Sequence, residues 1–311
     1  MSYLPLRIST VKAEKDLPFD LFIFFKETYL EYVSKGLKIP QEKFDKLVTQ
    51  DIATFWIPSD QVDNYYTYLD KTLDEVVMND KISPEEKLEV TKGAASSALE
   101  NLQQGPQTEE SFNMTKKAAN SFRQVVSQNP KMLKKLFGRK AKESDSIIKH
   151  SLNVCALATK LAEEVGTKES DLEDLATAAL IHDIGITLLK EEERMLFLRP
   201  KKNFGPTDKR IYNFHVKESV QKLTSKPYIN KNIEELVLHH EENLSGTGPF
   251  KMTKLTKSEE ILCLVNAYDK KIITEKMTPS EALKDFTIEE VGNFNLDLIQ
   301  SFKKVIKELG L

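Results

Sequence analysis

Residues 180–189 read Leu-Ile-His-Asp-Ile-Gly-Ile-Thr-Leu-Leu: an apolar run reaches His182 and Asp183 side by side, then breaks at Gly185. The residues before it, Leu172, Leu175, Ala176, Ala179 and Leu180, recur at intervals of three and four and predict a helix with a buried face. Ser170-Asp171-Leu172-Glu173 reads as the capping box that opens this helix. A second segment has the same form. Ile233, Leu236 and Val237 lead into His239-His240, and a Ser-Gly-Thr-Gly-Pro loop follows at 245–249. Upstream, Ile147, Ile148, Leu152, Cys155 and Leu161 mark one face of a long helix that Gly166 stops. A final helix is predicted from near Ser258, through Ile261, Leu262, Leu264 and Val265. From about residue 140 onward the chain is therefore expected to be all helical.

The five histidines all fall between positions 150 and 240. A single histidine on an apolar helix face is ordinarily a hydrogen-bonded core residue. Adjacent pairs are different, because burying two imidazoles, or an imidazole beside a carboxylate, costs several desolvations unless something compensates. A divalent cation compensates by accepting a lone pair from each. His150, His182, His215, His239, His240 and Asp183 supply more donors than one ion uses, so two ions sharing Asp183 is the economical reading. Mixed nitrogen and oxygen donors suit Fe, Mn or Zn better than Ca or Mg. Two cations about 3.5–4 Å apart can clamp a phosphodiester and activate water between them. No Walker-type loop, nucleophile elbow or dinucleotide-binding glycine motif is present.

Before residue 140 the pattern changes. Leu6–Val11 alternates weakly, Phe19–Phe25 and Tyr29–Val33 read as strands joined by a tight connection at 26–28, and Ile52–Ile57 is β-rich. Ser59 is placed to cap a helix carrying Val62, Tyr65, Tyr66 and Leu69. Trp56, Tyr65 and Tyr66 are spaced as a small core requires, which is preferred to a ligand pocket. Residues from 60 to 140 are helical, with a polar break at 103–108. That middle piece suits signal relay, dimer contacts or plain packing. The expected organisation is mainly α: a small α/β regulatory or sensory domain at 1–75, a helical connector at 76–140 and an all-helical metal-dependent domain at 141–311.

Composition narrows the class. The net charge of −3 and the lack of a basic block give no footprint for DNA or RNA. The longest apolar runs, such as Leu21–Phe25, are far below the roughly 20 residues of a membrane span, and the start shows no signal-peptide pattern. Cys155 and Cys263 lie in apolar helical patterns and read as buried free thiols, which places the chain in the cytoplasm.

The order of these segments resembles the HD-GYP family. LIHDIGITLL (180–189) is similar to its HD motif, KHSLNVCALATKLA (149–162) to the helix offering the first histidine, and HVKESVQKL (215–223) to the segment with the middle histidine. HHEENLSGTGPF (239–250) resembles the stretch that names the family, and ILCLVNAYDK (261–270) its later helix. The resemblance implies a helical fold, two divalent metal ions (iron first, manganese as the alternative) and hydrolysis of the bacterial second messenger cyclic di-GMP. By position it implies His150, His182, Asp183, His215, His239, His240 and Asn266 as metal ligands, with Asp183 also catalytic. Gly246, Gly248, Lys217, Lys270 and Lys271 are the candidates for substrate contact, and each lysine is otherwise read as a solvated surface residue. A homodimer or a signalling protein are the expected macromolecular partners.

The chain departs from the family pattern at several of these positions. Gly248 is followed directly by Pro249, without the tyrosine, and Ser245 replaces the aspartate before Gly246. Ile186 stands where the family has lysine, and Asn266 where it has a ligand aspartate. Ser146 occupies the position from which some relatives hold a third metal. Two readings stay open: an active phosphodiesterase, or a module that keeps the metal and binds a nucleotide or protein without efficient turnover.

Overall fold

The computed structural model describes residues 2–137, 143–223 and 226–311. Its packing divides the chain into two units, Met1–Val125 and Val126–Leu311. The expected boundary at 140/141 lies outside the described residues.

In the first unit, β1 (Tyr3–Arg7), β2 (Leu21–Phe25), β3 (Thr28–Val33) and β4 (Thr54–Pro58) form an antiparallel sheet in the order β1-β4-β2-β3. The β2–β3 turn is Lys26-Glu27, both with positive φ, the geometry that matches strand twist in a two-residue hairpin. The first strand is shifted from its expected place. Ile8–Thr10 forms a 3₁₀ turn instead, closed where Thr10 Oγ1 donates to the Arg7 carbonyl at 2.7 Å. Leu4 pairs with Ile57 and Leu6 with Phe55, which puts four buried side chains on one face. Helix α1 (Gln41–Thr49) precedes β4, while α2 (Val62–Met78) and α3 (Pro84–Gln104) follow it. Ser59 opens a 3₁₀ turn and does not cap α2, whose N-cap is Gln61. Tyr65 and Tyr66 are buried core residues, whereas Trp56 lies across the sheet against Tyr29 and Phe24. Helix α3 packs on β1, with Ser97 Oγ accepting from Arg7 N at 2.8 Å. Helix α4 (Glu109–Gln128) contains the point of division.

The second unit is helical: α5 (Leu133–Phe137), α6 (Glu143–Glu164), α7 (Glu169–Ile181), α8 (Glu191–Arg194), α9 (Pro206–Leu223), α10 (Lys231–His239), α11 (Lys257–Glu275), α12 (Pro279–Glu289) and α13 (Leu296–Leu309). Helix α6 packs on α7, α11 and α13, and α10 on α7, α9 and α11. The capping box expected at Ser170 is absent, since α7 starts two residues earlier, with Lys168 as an N-cap that makes no side-chain cap bond. The helix near Ser258 begins at Lys257 with a Thr256/Glu259 capping box, but α12 and α13 come after it. Both cysteines are buried thiols, Cys155 Sγ donating to Ala176 O and Cys263 Sγ to His239 O. No helix among the described residues is long and apolar enough to cross a membrane.

Gly185 explains why α7 stops where it does. A 3₁₀ turn, Ile184–Leu188, follows His182-Asp183 and lies so close to α9 that a Cβ on Gly185 would run into His215 O and Ser219 Oγ, and lie 2.6 Å from Ser219 N. Gly185 N instead donates to Ser219 Oγ at 2.7 Å. This close approach carries His215 toward Asp183.

Candidate metal centre

Six side chains converge from five places in the helical unit. His150 comes from α6, and His182 and Asp183 follow the end of α7. His215 comes from α9, His240 caps α10, and Asn266 comes from α11. The donors form two groups that share the aspartate, His150/His182/Asp183 and Asp183/His215/His240. All five are buried.

Each imidazole has its Nδ1 engaged away from the cluster. His182 Nδ1 donates to the Ala179 carbonyl at 2.7 Å, His240 Nδ1 to Val237 O at 2.6 Å, and His215 Nδ1 to Tyr212 O. His150 Nδ1 donates to Asp269 Oδ2 at 2.7 Å. With the proton on Nδ1, every Nε2 presents a lone pair. These lone pairs face each other, 3.1 Å apart for His150 and His182 and 3.2 Å for His215 and His240. Nitrogens with no proton between them repel at that distance. Two ligands bound to one ion at about 2.0–2.1 Å each, however, lie roughly 3 Å apart. Asp183 divides its carboxylate between the pairs. Oδ2 lies 3.6 Å from His150 Nε2 and 3.4 Å from His182 Nε2, while Oδ1 lies 3.1 Å from His215 and 3.3 Å from His240. Asp183 Oδ1 is also a buried oxygen that receives no hydrogen bond. The donor set fits divalent metal, with outer hydrogen bonds fixing each ring in the manner of metal-binding histidines.

The electrostatics agree. Burial alone would raise the Asp183 carboxyl, but the Lys270 ammonium and His182 outweigh it and hold it well below the usual carboxylate range. Burial pushes His240 down to about 4, so its ring is neutral near pH 7 and its Nε2 is free to ligate.

The remaining predicted positions are placed as follows. Asn266 Oδ1 reaches within 3.0 Å of His150 Nε2, while its Nδ2 donates to His240 O and Glu241. His239 is not brought into the cluster. It neighbours His240 but points another way at the end of α10, where its Nδ1 meets Glu259 and its ring faces Phe250. Gly246 has a left-handed φ of +70°, and Gly248 packs so tightly on Glu242 that a Cβ would lie 2.6 Å from that carboxylate. Glu242 orders the loop by accepting from Phe250 N and Met252 N. Lys217 is exposed, its ammonium 5.9 Å from the Phe250 ring centre. Lys271 pairs with Glu275 and Glu289.

Lys270 corrects the reading of a solvated surface lysine, because it is 8% exposed and points inward. Its Nζ lies 3.5 Å from Asp183 Oδ1 and 2.7 Å from Glu241 Oε1, and donates to Tyr212 Oη at 2.6 Å. Glu241, held well below the carboxylate range against its burial by Lys201 and Lys270, is a further site residue. Asp269 is another. Helical spacing is the signal for some of these: Asn266, Asp269 and Lys270 stand three and four apart on α11, as Tyr212 stands three before His215. Ile186 is buried with Leu189, Leu196, Phe197, Phe204 and Tyr212 in an apolar cluster beside the centre.

A cleft of about 280 Å³ opens next to the cluster, with His240, Glu241, Asn266, Phe197, Tyr212 and Lys270 on its inner wall. On the other side of Lys270 is a recess of about 10 Å³ bordered by Ser146, His150, Asp183 and Lys270, room for about one water.

The family model of the HD domain matches residues 120–293, more than half of the chain. In fold the chain is similar to Bd1817, an HDG"Y"P protein from Bdellovibrio bacteriovorus. The TM-score is 0.75 at 23% identity, over 98% of this chain and 100% of that one. It is also similar to the HD domain of the L. monocytogenes phosphodiesterase PgpH in complex with cyclic-di-AMP. There the TM-score is 0.41 at 17% identity, over 58% of this chain and 96% of that one. No curated protein sequence matches the chain.

Proposed function

Because the chain belongs to the HD-domain family, we propose that it is a metal-dependent phosphodiester hydrolase, and that its substrate is the cyclic dinucleotide cyclic di-GMP. One observation carries the reading: the two oxygens of Asp183 face opposite pairs of imidazoles, the arrangement of a carboxylate that bridges two ions. His150, His182 and Asn266 would hold one ion, and His215 and His240 the other. Iron suits the mixed donor set, with manganese next. When bound, such ions polarise phosphoryl oxygens and lower the pKa of water. The choice of cyclic di-GMP rests on the motif segments from His150 to Lys270 that resemble the HD-GYP family.

The chain's own residues prepare that reaction. The water oxygen joins phosphorus and the bond to the departing ribose oxygen breaks. That oxygen leaves as a hydroxyl carrying a proton from the water. The recess beside His150 and Asp183 accommodates the water, and the ionised Asp183 orients it. The four histidines stay fixed by their Nδ1 bonds, so no ring turns during the reaction. The cleft would admit the nucleotide from the side of Lys201 and Lys202, whose side chains are exposed.

The test is incubation of the metal-loaded full chain with cyclic di-GMP, and in parallel with cyclic di-AMP, resolving products by chromatography. Linear dinucleotide or GMP is expected from cyclic di-GMP, and Asp183→Asn should form neither. Absence of product with metal present defeats the hydrolase reading. A second reading has its own observation, the apolar burial of Ile186 where the family has a lysine. On that reading the metal centre binds nucleotide without turnover, and calorimetry shows binding where chromatography shows no product.

A further inference from the structure

We propose that Lys270 is the residue that meets the substrate phosphate at the metal centre. The assignment rests on the hydrolase reading for its biological meaning, but not for its geometry. Lys270 is the cation that borders both the cleft and the one-water recess. Among the other cations lining the cleft, Arg199, Lys201 and Lys202 have side chains 49%, 50% and 63% exposed. The Lys271 side chain is no more exposed than that of Lys270, but it is committed to Glu275 and Glu289. Of these cations, Lys270 is the one whose ammonium reaches Asp183.

Its position is held on every side. Glu241 Oε1 accepts from it at 2.7 Å and Tyr212 Oη at 2.6 Å, and the Phe197 and Tyr212 ring centres lie 5.3 and 5.0 Å away. A buried ammonium is strongly disfavoured without such partners, so the arrangement is built and not incidental. It is also placed against electrostatic convenience. An ammonium 3.5 Å from Asp183 Oδ1 repels any divalent ion on that carboxylate. An anion drawn into the cleft would remove the conflict, because its negative oxygens attract the ammonium and a held cation alike. A phosphodiester supplies that anion. The wall holding Lys270 includes Phe197 and Tyr212, which also pack around Ile186. The cation therefore enters from α11 and not from the turn after Asp183.

The experiment measures binding of inorganic phosphate to metal-loaded full-length protein by calorimetry, with metal content of each sample determined by elemental analysis. Lys270→Met should weaken phosphate binding about tenfold to a hundredfold, as loss of a charged hydrogen bond does, with metal content unchanged. Lys270→Arg keeps the charge and should stay within a few-fold of the wild type, which also controls for folding. Equal phosphate affinity in Lys270→Met overturns the assignment. So does a loss that tracks falling metal content, or a wild type that binds no phosphate. Lys270-dependent phosphate binding in a protein that leaves cyclic di-GMP intact would remove the hydrolase reading and keep this assignment.

Discussion

Asp269 Oδ2 accepts the Nδ1 proton of His150 at 2.7 Å, joining residues 119 positions apart, and Asn153 Nδ2 steadies the other oxygen of Asp269 at 2.9 Å. The aspartate thus sets the tautomer and direction of an imidazole it does not resemble in role. Asp269→Ala should lower metal affinity about tenfold to a hundredfold while leaving the helical content intact. Competition against a chromogenic chelator measures this, and unaltered affinity would separate Asp269 from the centre.

The contact at Gly185 makes a second prediction. Gly185→Ala forces a methyl group between the 3₁₀ turn and α9 and should cost about 1–3 kcal/mol in urea unfolding. Because His215 moves with α9, metal content should fall too. Ser219→Ala only leaves Gly185 N unpaired and should be milder, about 1 kcal/mol. Equal losses from the two would contradict the steric argument.

Metal removal should lower thermal stability. A metal ion bound by these donors relieves the facing Nε2 lone pairs and the buried, unbonded Asp183 oxygen. Free metal at a thousand times its Kd stabilises the folded state by about 4 kcal/mol. Protein dialysed against EDTA should melt at a lower temperature and recover when manganese is restored. In His240→Ala the two melting temperatures should draw together.

Acid should weaken the metal-free protein through His240. The folded ring takes its proton near pH 4 because burial disfavours the charged form, against 6.5 ordinarily. Between those values the unfolded chain binds the proton and the folded chain refuses it, so stability falls as pH drops from about 6.5 to about 4. The total is up to about 3 kcal/mol. Urea midpoints taken across that window should follow this slope, and His240→Gln should flatten it by about one proton. A variant with the wild-type slope would assign the effect to another group.

Local patterns carry much of this molecule. His182-Asp183 and His239-His240 are neighbours in the chain, and the apolar spacing around them is a local property, so the helical half follows from the sequence. The small antiparallel sheet is legible in the β-rich runs at 19–25, 29–33 and 52–57, which contain or overlap three of its strands. What escapes depends on the fold. Nothing near Lys270 in the chain says that Glu241 and Tyr212 wait for its ammonium, because those contacts span 29 and 58 residues. The same holds for His239, whose sequence position beside His240 says nothing of Glu259 twenty residues later. Caps mislead for a different reason. A serine three before a glutamate fits a capping box, yet α7 begins at Glu169 with no side-chain cap.

Three of the histidines share a detail with a wider meaning. His182, His215 and His240 each give the Nδ1 hydrogen to a carbonyl three residues earlier in their own segment, those of Ala179, Tyr212 and Val237. Each donor is therefore a self-contained module, its chemistry chosen within a single turn before distant parts of the chain meet. Assembly has only to bring finished pieces together, so loops between them are free to lengthen or change composition without retuning the ligands.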